Sequence, residues 1–465
     1  MNPALTLFAA LLLTPVAALH AADASAKKPN IIFILADDLG WGDLGCYGNL
    51  DIATPNLDRM ATEGMLFEQF YVNASLCSPS RAAMLTGRFP AELGIHYWMA
   101  PTHNRRMGMP EALEPKIENL PRTLQRTGYR TGHFGKWHVG EDKAVPVTAY
   151  GYDETDIIWQ GVGPNPRVRM NAPDGTAKLV DRSIAFGEKC MADGRPFFVT
   201  LWLRDVHADL APTAEALARY ERFRSRPGIA TAMQIYYAAV TEMDAQIGRL
   251  LDWIDAEPAR AANTLVIFTS DNGPETTSVV RMRADYGHDG AKPWRGVKRD
   301  QWEGGHRVPF LVRWPNNIAP NSSSSQTISL TDIMATCAAL TGATLPNNAA
   351  EDSFNILPVF LGKAGGKPIR DFTLHQTNSL ALAIRQGPWK YLDHRGSGGN
   401  RYEKGELAAF ALPDNAPTAL GQLYNLETDP GETKNLYFEQ PLKVKELKAK
   451  LDELVKAGRS APVMR

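Results

Sequence analysis

Cys77-Ser78-Pro79-Ser80-Arg81 opens the segment richest in chemistry. Pro79 suits the first turn of a helix and Gly87 its end, so a helix is predicted between them. Cys77 then sits at the helix N-terminus, where free N–H groups and the helix dipole favour a bound anion. Arg81, four residues on, projects from the same face. A nucleophile and a guanidinium thus flank one anion. Asp37 with Asp38, and Asp271 with Asn272, form a second constellation. Oxygen donors without imidazole or thiolate suit Ca2+, and Mg2+ less well, rather than Zn2+. Such an ion would neutralise ester oxygens and polarise the atom under attack. His207 adds a group that exchanges protons near neutral pH. Taken singly, a buried structural thiol, a helix-capping acid pair and solvated loop residues remain alternatives.

These groups need a scaffold that gathers them. Residues 30–36, 197–203 and 264–269 are short apolar runs suited to strands buried on both faces. Residues 129–134 read as another strand. Helical patterns over 55–63, 119–127 and 231–253 alternate with them. The prediction is an α/β fold with a large, mainly parallel sheet flanked by helices. In such sheets ligands collect at the carboxyl ends of strands. Asp37, Lys136, His207 and Asp271 each fall just past one. Farther on, 371–375, 382–385 and 389–392 read as an antiparallel meander, and 442–457 as an amphipathic closing helix. The expected organisation is a catalytic domain over 25–370 and a smaller α+β subdomain over 371–465. Residues 322–325 read as a polar loop.

The 465-residue chain is 44% hydrophobic and 22% charged, ordinary for a globular protein. Lys+Arg 50 against Asp+Glu 51 gives net −1, which argues against nucleic acid as a partner. Residues 4–19 are apolar and precede Ala21, Ala22 and Ala24, as in a signal peptide over 1–24, although no Lys or Arg precedes them. An uncleaved anchor is the alternative. No later run is long enough for stable membrane insertion, so a periplasmic or secreted protein is expected. Cys46, Cys190 and Cys337 allow at most one disulfide, with three free thiols an open alternative. Asn73-Ala74-Ser75 and Asn321-Ser322-Ser323 are glycosylation sequons.

The Cys77–Arg81 motif resembles the signature of the formylglycine-dependent (type I) sulfatases, of the alkaline phosphatase superfamily. Asp37-Asp38-Leu39-Gly40-Trp41-Gly42-Asp43, Thr54-Pro55-Asn56-Leu57-Asp58, Gly135-Lys136-Trp137-His138, Ser270-Asp271-Asn272-Gly273 and Trp302-Glu303-Gly304-Gly305 resemble further family blocks, in the expected order. The resemblance runs through essentially the whole chain after the leader. It implies an alkaline phosphatase-like fold. It implies that a formylglycine-generating maturation enzyme oxidises Cys77 to 3-oxoalanine (formylglycine), whose hydrate is the nucleophile. Asp37, Asp38, Asp271, Asn272 and the oxygen at position 77 would hold Ca2+. Lys136 and Lys298 would bind sulfate, with Lys292 a competitor for the second place. Arg81 would help activate the nucleophile, His207 protonate the leaving oxygen, and His138 take the proton that frees sulfate. Asp205-Val206-His207-Ala208 departs from the commoner Pro-His, and His306 stands where relatives are generally apolar.

Two loop clusters mix cations with aromatics: His96, Trp98, His103, Arg105 and Arg106, then Arg281, Arg283 and His288. Both suit a sulfated or uronate-bearing saccharide, with solvated surface the alternative. The expected function is hydrolysis of sulfate esters of carbohydrates by an exported enzyme. An arylsulfatase, a phosphate or phosphonate ester hydrolase of the same superfamily, and a non-catalytic glycan-binding relative are the alternatives.

Overall fold

Asn-Ile-Ile-Phe-Ile-Leu-Ala forms the central strand β1 (Asn30–Ala36), buried at every residue. Ile31, Phe33 and Leu35 enter one core, while Ile32, Ile34 and Ala36 enter the other. That alternation is what a strand covered on both faces requires. The computed structural model describes residues 28–140, 145–157, 175–208 and 210–462. The leader expected over 1–24 lies outside them.

The strands that follow are β2 (Met65–Phe67), β3 (Phe70–Tyr71), β4 (Arg130–Gly135), β5 (Glu154–Ile157), β6 (Phe197–Trp202), β7 (Thr264–Ser270), β8 (Phe310–Arg313), β9 (Ser322–Ser324) and β10 (Ile328–Ser329). Eight make one sheet in the order β5-β4-β6-β1-β7-β8-β2-β9. β1 runs parallel to β6 and β7, and β4 to β5 and β6, whereas β8 is antiparallel to β7 and β2. This is the expected mainly parallel α/β sheet. The helices Pro55–Thr62, Gly175–Ala192 and Ala232–Asp255 help cover one face. Cys77–Thr86, Leu120–Arg126 and Asp332–Thr341 help cover the other.

A separate antiparallel sheet is built from β11 (Phe372–Gln376), β12 (Leu382–Gln386), β13 (Trp389–Leu392) and β14 (Gln422–Asn425). The helix Pro441–Ala457 lays Val444, Leu447, Leu451 and Leu454 on it, against Ile384, Tyr391 and Leu423. That three- and four-residue spacing makes one apolar stripe. Glu303, Lys390 and Glu432 link the two sheets as a fully buried ion triad, with N···O distances of 3.0 and 3.2 Å.

One expectation needs correction. Residues 322–325 are not simply a loop: β9 pairs in parallel with β2 at the sheet edge. Its serines suit an edge, where one side faces solvent. Asn73 is buried, accepting hydrogen bonds from Ser329 and Thr331, which leaves its sequon unavailable in the folded chain. All four cysteines are free thiols. Among the described residues no helix is long and apolar enough to cross a membrane.

Candidate active site

Register brings the chemistry to one rim. Ala36 pairs with Ser270, and Trp202 with both Leu35 and Gly135. The residues that follow β1, β7 and β4 therefore emerge side by side: Asp37 and Asp38, Asp271 and Asn272, and Lys136. Above them lies the helix Cys77–Thr86, all ten residues buried, with extended Leu76 as its N-cap and left-handed Gly87 as its stop. Ser80 Oγ donates to the Ala74 carbonyl at 2.7 Å, fixing the entry of that helix. Asp38, His138 and Arg299 have φ of 66°, 62° and 80°. Non-glycine residues in that region cost backbone energy and cluster at functional sites.

Arg81 is fully buried and points across the rim. Its Nε and Nη2 donate to Asp271 Oδ2 at 2.9 and 2.7 Å, and Nη1 donates to the Lys136 carbonyl at 2.8 Å. Its guanidinium also lies 5.0 Å from the Trp202 ring centroid. Lys136 Nζ reaches Asp37 Oδ2 at 2.6 Å, and Lys298 Nζ reaches Asp38 at 2.7 Å and Glu275 at 3.3 Å. Burial alone would raise the Asp37 carboxyl, but Lys136, then His207, Arg81 and Lys298, hold it well below the ordinary range. Burial pushes the Cys77 thiol up to about 12, so the unmodified side chain is a neutral thiol and a weak nucleophile.

His138 has both ring nitrogens buried and without a hydrogen-bond partner among the described residues. Burial first, then Lys136 and Arg81, hold it well below its ordinary value. Its ring is therefore neutral. His207 Nδ1 lies 2.6 Å from the Ala208 carbonyl and 3.1 Å from Arg204 Nη2, which can only donate, and Nε2 faces Asp38 Oδ2 at 3.7 Å; burial holds the ring below its ordinary value.

The donor set fits a hard cation. Asp37 Oδ1 and Asn272 Oδ1 are buried and lack hydrogen-bond partners among the described residues, an expensive arrangement unless something else binds them. Ligand atoms of Asp37, Asp38, Cys77 and His207 lie within 4.8 Å of one another. Asp271 stands beside this group, with Oδ2 taken by Arg81 and Oδ1 accepting from the Asp38 N–H at 3.2 Å. Asn272 Nδ2 donates to Asp38 Oδ1 at 2.7 Å.

The chain matches the Sulfatase family model over residues 29–343. It belongs to the sulfatase family. Human arylsulfatase A is 34% identical over 497 residues, covering 95% of this chain and 92% of its own. Dog N-acetylgalactosamine-6-sulfatase is 32% identical over 474 residues, covering 92% and 85%. A solved structure from work on glycosaminoglycan metabolism by Bacteroides thetaiotaomicron superposes with a TM-score of 0.74 at 26% identity, covering 92% of this chain and 99% of that one. This sulfatase is therefore a sulfuric ester hydrolase of the alkaline phosphatase superfamily. The family uses a formylglycine and a metal ion.

The structure separates the residues expected around the substrate of this sulfatase. Met99 N–H donates to Ser78 Oγ at 2.9 Å, tying the first cluster to the Cys77 helix. Trp98 packs on His103 with centroids 4.0 Å apart, Arg105 and Arg106 are exposed, and His96 is nearly buried. The second cluster divides. Arg281 is exposed, while Arg283 is held by Asp289 and faces Phe410. His288 is a correction: it is buried, with Nε2 3.1 Å from Asp43 Oδ1 and Nδ1 2.8 Å from the Tyr237 hydroxyl. Both nitrogens are committed to holding the loop, leaving nothing for a substrate. Lys298 reaches the rim, whereas Lys292 is exposed. Glu275 and Arg299 were not foreseen. Arg299 clasps Glu275 at 2.6 and 3.0 Å, and Glu275 also meets Lys298. An acid directly before a helix start was the one hint, and it reads equally well as an ordinary cap.

Proposed function

We propose that this sulfatase is exported and hydrolyses sulfate esters of carbohydrates, with Cys77 converted to formylglycine and Ca2+ held by Asp37, Asp38, Asp271, Asn272 and position 77. One arrangement carries the reading. A buried side chain at a helix N-terminus clusters with Asp37, Asp38 and His207 and lies in the field of Lys136, Lys298 and Arg81, beside carboxylate and amide oxygens without hydrogen-bond partners among the described residues. Oxygen ligands and a carboxylate-rich rim suit Ca2+ over softer metals. When bound, the ion supplies charge that neutralises sulfate oxygens and favours attack at sulfur.

The chain's own groups then divide the work. Lys136 and Lys298 bind sulfate oxygens and stabilise charge spreading in the transition state. Arg81 keeps Asp271 and the Lys136 backbone in place. His207, protonated at Nε2, donates to the departing sugar oxygen, while neutral His138 accepts the proton from position 77 that lets sulfate leave. The saccharide assignment is supported by the sugar sulfatase among the relatives and by Trp98, His103, Arg105 and Arg106 on the segment docked to Ser78.

The test is sulfate release from defined sulfated saccharides and one aryl sulfate, by protein co-produced with a formylglycine-generating enzyme. The state of position 77 is read by peptide mass spectrometry. Release from one saccharide regioisomer supports the proposal. Release from the aryl ester alone makes this an arylsulfatase, and silence with the aldehyde present refutes both. Cys77→Ser provides the control: without a second oxygen on the same carbon it is expected to give no multiple turnover. Repeated turnover by that variant would exclude the formylglycine route.

A further inference from the structure

Lys298 is held from two sides, and only one belongs to the large sheet. On the inner side its ammonium meets Asp38 and Glu275, its N–H donates to the Pro274 carbonyl at 3.0 Å, and the next N–H donates to Ser75 O at 2.9 Å. On the outer side a glycine-rich segment between β13 and β14, residues 396–402, lies along the Lys298 turn. Asn400 Nδ2 donates to the Lys298 carbonyl and to Asp300 Oδ1, both at 2.8 Å. The Tyr402 hydroxyl donates to Asp300 Oδ2 at 2.6 Å, the oxygen that also accepts from the Val297 N–H at 3.0 Å and closes the turn. The Gln301 N–H donates to Ser397 O at 2.7 Å. A Cβ on Gly399 would fall 2.0 Å from the Arg299 carbonyl, so only glycine permits this approach.

We propose that residues 396–402 form a latch in which Asn400 and Tyr402 are positioning residues for Lys298, setting where its ammonium stands over the rim. This rests on the proposed role of Lys298 as a sulfate-binding group. Neither residue touches the rim. Their hydrogen bonds end on the backbone and turn acid that define the Lys298 φ and ψ. Arg299, the next residue, already sits at φ 80°, a conformation that persists only while its surroundings enforce it. Loosening the latch therefore lets the turn relax and draws the ammonium away from the sulfate position.

The experiment compares Asn400→Ala, Tyr402→Phe, the double variant carrying both, and Lys298→Ala in the matured full-length enzyme, on a sulfate ester the wild type cleaves. Tyr402→Phe keeps the ring packed edge-on against Trp302, at 5.2 Å between centroids, and removes only the hydroxyl. The readouts are kcat, KM, the inhibition constant of inorganic sulfate and the melting midpoint. Each latch variant is expected to weaken inorganic sulfate and lower kcat/KM by on the order of 10-fold, and the double variant by on the order of 100-fold, as for small misplacements of a catalytic group. The proposal fails if both latch variants keep the sulfate constant and kcat/KM within about twofold of wild type while Lys298→Ala is inactive. It also fails if only the melting midpoint moves, which marks a purely structural contact. Should Lys298→Ala itself retain wild-type kinetics, the underlying reading of Lys298 is what has failed. Tyr402→Phe carries the test alone should Asn400→Ala not fold.

Discussion

Arg81 fastens the carboxyl edge of the sheet, and Arg81→Lys measures how firmly. The guanidinium gives two hydrogen bonds to Asp271 after β7 and one to the Lys136 carbonyl after β4, and it faces Trp202 at the end of β6. Its Nη2 also stands 3.5 Å from Asp37 Oδ1, beyond β1. Four neighbouring strand ends thus meet one planar group. Lysine carries the same charge on a single nitrogen and cannot reproduce the fork. It can keep Asp271 or the Lys136 carbonyl, and the other contacts go. Losing one bond to a carboxylate costs about 1.5–3 kcal/mol and one to a neutral carbonyl about 0.5–1.5 kcal/mol. Arg81→Lys is therefore expected to destabilise by about 2–4 kcal/mol. Arg81→Ala leaves Asp271 buried without its cation and should reach or exceed the ~3–5 kcal/mol typical of a broken buried pair. Urea unfolding in EDTA, followed by tryptophan fluorescence, isolates this effect because no bound cation can compensate for the lost charge. Activity of the lysine variant should fall by on the order of 100-fold, since Lys136 loses its backbone anchor. A loss below about 1 kcal/mol for Arg81→Lys, or an alanine variant as stable as the lysine one, would refute the fastening role.

Three further outcomes follow from the geometry. Adding Ca2+ to EDTA-treated protein should raise the melting midpoint in a concentration-dependent way, and Asp38→Ala should abolish the rise; an equal response in both proteins places the ion elsewhere. Burial, then Lys390, hold His306 down to about 3, below its ordinary 6.5. The unfolded chain gains a proton below 6.5 that the folded one refuses, so this contribution to stability is complete above 6.5 and is lost as pH falls towards 3. His306→Leu should remove it, gaining about 2 kcal/mol at pH 5 relative to its own change at pH 7.5; parallel pH profiles for variant and wild type would contradict this. His288→Ala should lower stability by about 1–3 kcal/mol through the partner lost from Asp43 Oδ1, whose Oδ2 keeps the Gly40 N–H and the Tyr236 hydroxyl, and leave KM unchanged; a raised KM at full stability would restore His288 to the substrate.

What the sequence disclosed follows from how local each signal was. The strands around β1 were legible because continuous apolar runs have few other uses. The Cys77 helix was legible because Pro79 and Gly87 mark its ends. Asp37, Lys136 and Asp271 could be placed at strand ends, and parallel pairing then brought them together. Arg81 was expected beside an anion, yet its partner is a carboxylate 190 residues away, which spacing cannot foretell. His288 was misread for the same reason: Asp43, its partner, is 245 residues distant, and a histidine among cations looks the same whether it faces substrate or core. Lys298 was preferred to Lys292 on the family resemblance alone, and the turn through Asp300 is what directs it to the rim while Lys292 stays exposed. β9 was hidden because three serines carry no strand signal without β2 beside them. His306 was only an oddity in sequence. In the fold it packs on His375, centroids 4.7 Å apart, next to the buried Glu303–Lys390 pair.

The complete burial of the helix Cys77–Thr86 also has a meaning in time. Some of its covers come early, such as the Leu120–Arg126 helix, but the Asp271 strand end, the Lys298 turn and the Asp332–Thr341 helix come late in the chain. Roughly 220 residues separate Cys77 from Lys298, and at about 5–20 residues per second their synthesis takes roughly 10–45 s. Through that interval the thiol belongs to an open chain, and afterwards it is sealed beneath the sheet's own rim. The oxidation proposed for Cys77 is thus best placed before the fold closes.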